Sequence, residues 1–281
     1  MRIWDLVMVC VVVLFLGCEE DPGCLDVQAT NYQVDAEDPC GDCCQYPELR
    51  VSFRHRWVRE DTTLAFGSDT TRFSLDGYTL QFPVVQYYLT NIRLVRPNGS
   101  EVLLDEALDV TIGSGADTLT TTIPDNVMLV EAGSFRTFVP GTYRYEGNFT
   151  ELRFELGVTA PANQATPEAY PDNYPLAEQS PAMHTSEDGY IYTRVEVITN
   201  PADTTARVIN TTEAQMAQTV SLPITFTLDR GFNTSVSLAV DYRDWFSGVD
   251  WDQQSDTDIA DLIVGNQPGS FSVISITSSQ N

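Results

Sequence analysis

Val220-Ser221-Leu222-Pro223-Ile224-Thr225-Phe226-Thr227-Leu228-Asp229 sets an apolar side chain at every second position, with a small or polar one between. Successive side chains of a strand point to opposite faces, so a period of two reads as a strand with one buried and one wet face. A turn at Arg230-Gly231-Phe232-Asn233 follows, and Val236, Leu238, Val240 and Tyr242 resume the same alternation. Working outward, Leu49, Val51, Phe53, His55 and Trp57 share one face of a segment whose other face is Arg50, Ser52, Arg54 and Arg56. Residues 84–95, 151–156 and 189–197 read as further strands, and Pro97-Asn98-Gly99, Pro140-Gly141, Asp188-Gly189 and Asn200-Pro201 supply turns between strands. Long amphipathic helices are absent from the pattern; Asp258 to Val264 reads as one short helix. These features predict an all-β fold, an antiparallel β-sandwich, interrupted by a long loop over 158–188 that holds prolines 161, 167, 171, 175 and 181.

Composition narrows the partners. The 281 residues carry 40 acidic and 15 basic side chains, a formal net charge of −25, and every basic one is Arg. So negative a surface repels phosphate backbones, which argues against a nucleic-acid partner. A hydrophobic fraction of 42% is ample for a core. The acidic, lysine-free composition fits either ordinary solubility of a secreted protein or adaptation to high salt, where hydrated carboxylates keep a surface soluble, and the complete absence of lysine favours the second.

The N-terminus reads as an address. Arg2 precedes an apolar run from Leu6 to Leu16, too short to span a bilayer, and Phe15-Leu16-Gly17-Cys18 follows the lipoprotein processing pattern. Residues 1–17 are expected to be the signal peptide, with Cys18 lipidated and the mature chain anchored to a membrane through its lipid. Glu19-Glu20-Asp21 behind it resembles the surface-export signal of Bacteroidetes lipoproteins. The expected location is the outer membrane, facing the periplasm or the cell surface.

Cys24, Cys40, Cys43 and Cys44 make residues 18–47 a lipidated tether and Cys-rich module ahead of a main domain at 48–281. An even, clustered set in an oxidising compartment reads as two disulfides. Three connectivities are possible; joining the adjacent Cys43 and Cys44 would force a strained ring, so each is expected to pair with Cys24 or Cys40. Zinc at Cys40-Gly41-Asp42-Cys43 is the other reading, and adjacent cysteines suit tetrahedral ligation poorly. The segment is similar to a short extracellular module of secreted Bacteroidetes proteins through Gly23-Cys24-Leu25-Asp26, Ala29-Thr30-Asn31-Tyr32, Asp35-Ala36 and Cys43-Cys44-Gln45-Tyr46-Pro47.

Chemistry-bearing motifs are few. No Gly-x-Ser-x-Gly, phosphate loop, dinucleotide fingerprint or His-Glu-x-x-His is present, and no enzymatic activity is expected. The two histidines are His55, on an apolar strand face where a core role is the plainer reading, and His184, beside Met183 at the end of the long loop. Imidazole and thioether suit copper, so Met183, His184 and His55 are the candidate ligands. Asp250, Asp252, Asp256, Asp258 and Asp261 could gather calcium, as could Asp26, Asn31, Asp35 and Asp38; neither set has the EF-hand spacing, and hydrated turns are the plainer reading.

Residues 49–275 resemble the MbnP-like family, named for a periplasmic copper-binding protein of methanobactin operons. The resemblance runs through Tyr87-Tyr88-Leu89-Thr90-Asn91-Ile92-Arg93-Leu94, then Asn98-Gly99 and Leu104-Asp105, then Phe154-Glu155-Leu156-Gly157-Val158 with Asn163. It continues in Pro175-Leu176, Met183-His184, Gly189-Tyr190-Ile191-Tyr192 with Glu196, and Gly265-Asn266 with Phe271. It implies copper binding and a di-haem cytochrome partner. The family's tryptophans after the Met are replaced by Thr185, Ser186 and Glu187, so tryptophan chemistry does not carry over. A metal-free surface binding or adhesion module is the alternative reading.

Overall fold

A computed structural model describes residues 22–280 apart from 68–70, 105, 114–117, 180, 201 and 216. The signal peptide, Cys18 and the acidic stretch behind it lie outside the described residues.

In the N-terminal module, β1 (Pro22–Gly23) runs parallel to β2 (Asp38–Pro39). Disulfides join Cys24 to Cys44 and Cys40 to Cys43, so the adjacent cysteines pair with Cys24 and Cys40, as expected, and not with each other. A segment this short buries little apolar surface, and the two bridges restrict its unfolded state instead.

The strands then run β3 (Glu48–Arg59), β4 (Thr62–Ala65), β5 (Arg72–Leu75), β6 (Tyr78–Val95), β7 (Glu101–Leu103), β8 (Ala107–Ile112), β9 (Leu119–Pro124), β10 (Met128–Glu131), β11 (Thr137–Thr142) and β12 (Gly147–Leu156). After the short helix α1 (Ala160–Asn163) come β13 (His184–Thr185), β14 (Gly189–Tyr190), β15 (Thr193–Ile198), β16 (Arg207–Thr211), β17 (Gln218–Leu228) and β18 (Asn233–Asp241). Helices α2 (Tyr242–Trp245) and α3 (Asp256–Asn266) precede the last strand, β19 (Phe271–Ser279).

Two sheets form the sandwich. The first has the order β16-β15-β6-β12-β17, with β5, β7 and β10 also on β6; the second has β11-β3-β18-β19, with β4 on β3. Pairing is antiparallel throughout both sheets except between β3 and β18, which run parallel from Leu49 beside Thr234 to Arg56 beside Asp241. The alternation read in the sequence faces inward as expected: Leu49, Val51, Phe53, His55 and Trp57 are buried, and Arg54 is exposed. Trp57 stands fully buried among Phe66, Phe73, Phe82 and Phe246, an aromatic stack at the centre of the main cluster. Rings of this size contribute most of the buried apolar area in such a core.

The predicted short helix is α3. Ser255 and Asp258 cap its start reciprocally, each side chain accepting from the other's backbone N–H. Arg207 closes the same corner, donating to the carbonyls of Trp251 and Gln254 and pairing with Asp256. Asp250 holds its own turn, accepting from Tyr78 and from the N–H groups of Asp252 and Gln253. Asp250, Asp252, Asp256 and Asp258 of the acidic run are thus engaged in turn, ion-pair and cap bonds.

Candidate functional site

A bulge in β6 begins the site. Asn91 takes a left-handed φ of 52°, where Asn is better tolerated than most residues. Its backbone N–H donates to Asn126 and its side chain to Glu155. Just before it, consecutive residues of the strand face opposite sides: Tyr87 enters the core between the sheets, and Tyr88 enters a second cluster outside the first sheet.

The segment 158–192 folds back to build that second cluster. Val158, Ala162, Ala165, Tyr170, Leu176, Met183, Tyr190, Ile191 and Tyr192 pack against Tyr88 and against the β8–β9 hairpin. Buried phenols pin the irregular backbone by donating to its carbonyls: Tyr88 to Pro175 (3.0 Å), Tyr170 to Ala162 (3.0 Å) and Tyr190 to Leu176 (2.6 Å). A loop this poor in ladder hydrogen bonds needs such partners for its buried polar groups. Burial pushes these phenols up, Tyr170 to about 12, so they remain protonated donors. Gly157 admits the ring of Tyr192: a Cβ there would stand 2.6 Å from that ring, and φ is +121°.

His184 borders this cluster. Its ring meets the edge of Tyr190 at 4.9 Å between centroids, and it is half-buried. Burial lowers its pKa, which favours the neutral ring, and the negative charge of Glu168 opposes this. Met183, one residue earlier, is 2% exposed within the cluster. Asn163 ties β14 to the turn after β16, accepting from the backbone of Tyr190 and donating to Glu213.

His55 is elsewhere, in the main sandwich. The Ser134 carbonyl can only accept, so Nε2 carries the proton and donates to it (3.2 Å). Nδ1 must then accept from the Tyr242 hydroxyl (2.7 Å), and with that proton committed Tyr87 donates to Tyr242 (3.2 Å). Burial lowers the His55 pKa to about 4. The structure therefore sets Met183 and His184 beside one cluster and His55 in the other, with both nitrogens of His55 engaged.

Among the described residues, one group of three His, Cys, Asp or Glu ligand atoms lies close enough for a metal: Cys40, Cys43 and Cys44. All three sulfurs are in disulfides, which excludes thiolate ligation in the oxidised module. Asp26 and Asn31 are engaged in module turns, Asp26 by Tyr46 and Gln28, Asn31 by Cys43 and Gln45.

The tyrosines around His184 were not singled out in the sequence as a cluster. Their signal was the density of Tyr and Pro between 167 and 192, which carries no regular period.

A family model described as MbnP matches residues 46–261. Among solved structures, MbnP from Methylosinus trichosporium is similar at 13% identity with a TM-score of 0.41, over 82% of this chain and 98% of that chain. No curated protein matches.

Proposed function

The chain belongs to the MbnP family, and from that premise we propose that it is an extracytoplasmic lipoprotein, tethered at Cys18, that takes copper through His184. It is a binding protein in this reading, and a di-haem cytochrome is the partner that family membership suggests. The observation that carries the copper reading is the position of His184: a half-buried imidazole at the edge of the tyrosine cluster, against the Tyr190 ring, where burial favours the neutral form that a ligand needs. The donors around it fit an open site. Glu168 supplies a neighbouring carboxylate, whereas Met183 is enclosed in the cluster. Copper would thus meet His184 first, and the remaining positions would be filled by water or by a partner's side chain.

A second reading is a metal-free binding module on a tether. It is favoured by the fate of the close-set ligand atoms of Cys40, Cys43 and Cys44, all committed to disulfides. Metal content after loading with Cu(I) or Cu(II) and desalting separates the two. About one copper per chain, lost in His184→Ala and kept in His55→Gln, supports the first reading; no retained copper leaves the second. Labelled fatty acid incorporated into the chain and lost in Cys18→Ala tests the tether.

A further inference from the structure

We propose that a groove on the outer face of the second sheet is a docking site for an acidic, extended peptide segment that carries an apolar side chain. The groove arises from a break in a sheet edge. Along one edge of β3, β11 pairs from Glu48 to Ser52 and β4 pairs from Arg56 to Arg59. Between them no strand lies against β3 among the described residues, and a hollow of about 550 Å³ opens there.

Its floor is fixed. The chain leaving β4 and the chain entering β11 touch backbone to backbone at Gly67 and Gly133, where a Cβ on Gly67 would lie 2.1 Å from the Gly133 Cα. No side chain fits at either position. His55, which lines the hollow, is bonded to the Ser134 carbonyl in that same stretch.

The walls carry the argument. Arg54, Arg56 and Arg136 line the hollow, and no carboxylate is among its lining residues. Elsewhere Arg50, Arg93, Arg153, Arg194, Arg207 and Arg230 each form an ion pair with a Glu or Asp, while Arg59, Arg72, Arg96 and Arg243 form none among the described residues. Among the described residues none of the three groove arginines has such a partner. Arg56 donates to Ser272 and the Arg136 guanidinium lies over the Phe138 ring, so what distinguishes the hollow is three guanidinium groups gathered around it with no carboxylate in its lining, and a counter-charge is left to be supplied from outside.

The rim selects the occupant. Phe135 is 94% exposed, and Val139, also exposed, lies a few residues farther along. Aromatic side chains and Arg are the residue types enriched at protein interfaces, and a large exposed ring beside a cationic hollow suits an acidic segment with an apolar anchor. The −25 charge of the whole chain repels acidic segments that lack this local match, so the surface discriminates as well as attracts.

The test uses the full chain in detergent micelles and a fluorescein-labelled peptide of sequence Glu-Leu-Glu-Phe-Glu-Leu, with its Gln-Leu-Gln-Phe-Gln-Leu analogue. Fluorescence anisotropy is expected to show saturable binding of the acidic peptide and binding at least about tenfold weaker for the analogue. The exposed double variant Arg54→Gln/Arg136→Gln is expected to weaken the acidic peptide at least about tenfold, and Phe135→Ala about threefold, while Arg230→Gln, far from the groove, leaves it unchanged. Unaltered thermal melts certify that these surface variants fold. Equal affinity for both peptides, indifference to the double variant, no saturation up to about 1 mM, or displacement by equimolar acetate or inorganic phosphate would each overturn the proposal.

Discussion

His55 and His184 sit beside different hydrophobic clusters, and the clusters are built differently. The main one lies between two sheets whose hydrogen bonds are satisfied by ladders, so it holds fully apolar rings such as Phe66, Phe73, Phe82 and Phe246 around Trp57. The second lies between one sheet and an irregular segment, and it is filled with tyrosines whose hydroxyls satisfy that segment's carbonyls. A histidine entering the first is locked by bonds at both nitrogens; one at the edge of the second keeps an accessible ring. Regular backbone permits an apolar core, and irregular backbone requires a polar-tipped one.

The largest test of this contrast is Trp57→Ala, which opens a cavity inside the ladder-supported core. It is expected to cost about 4 kcal/mol in denaturant unfolding. An effect below about 1 kcal/mol would mean that the aromatic stack is not the centre of stability.

Next comes the pH response of the locked histidine. The folded ring titrates at about 4 and the unfolded ring at 6.5, so between those values the unfolded state binds more protons. Stability is therefore expected to be flat in this respect above pH 6.5 and to fall by up to about 3 kcal/mol as the pH drops towards 4. His55→Gln removes that slope, and His184→Gln leaves most of it; unfolding midpoints measured between pH 4 and 7 would read both. A slope that vanished with His184→Gln instead would reverse the comparison.

Smaller still is Tyr190→Phe, which leaves the Leu176 carbonyl without its donor. A loss of about 1 kcal/mol is expected, concentrated as faster amide exchange over 158–188 while the β3 and β18 amides keep their protection. Uniform loss of protection in both regions would show that the two clusters open together. The slightest effect is that of salt: screening of the −25 charge should raise the thermal midpoint steadily with added NaCl, and a falling midpoint would count against the high-salt reading of the composition.

How much of this was legible in the sequence follows from the same contrast. Period-two alternation marked β3, β17 and β18 and their inward faces correctly, because a half-buried strand writes its environment into every second residue. The parallel pairing of β3 with β18 left no such mark, since register between segments 185 residues apart depends on the whole sheet order. The second cluster was legible only as an absence of period plus a run of prolines. Met183 and His184 were visible as residue types, and their different exposures were not, because no repeating geometry connects burial to position in that loop. The groove was equally invisible: Arg54 and Arg56 read as an ordinary wet face until β4 and β11 stopped short of each other.

The place of β3 in its sheet has a mechanical meaning. The stapled module ends at Pro47, one residue before this strand, and Tyr143 donates to the Pro47 carbonyl at the junction. Just beyond, the Arg144 guanidinium covers the Tyr46 ring at 3.7 Å. β3 is flanked by β18 along Leu49–Arg56 on one side and by β11 and β4 on the other. Tension arriving from the N-terminal side would run along the strand axis, across the ladder hydrogen bonds, and would load them together in shear instead of peeling them from an end. A chain held by that end would share the drag among the three strands paired with β3.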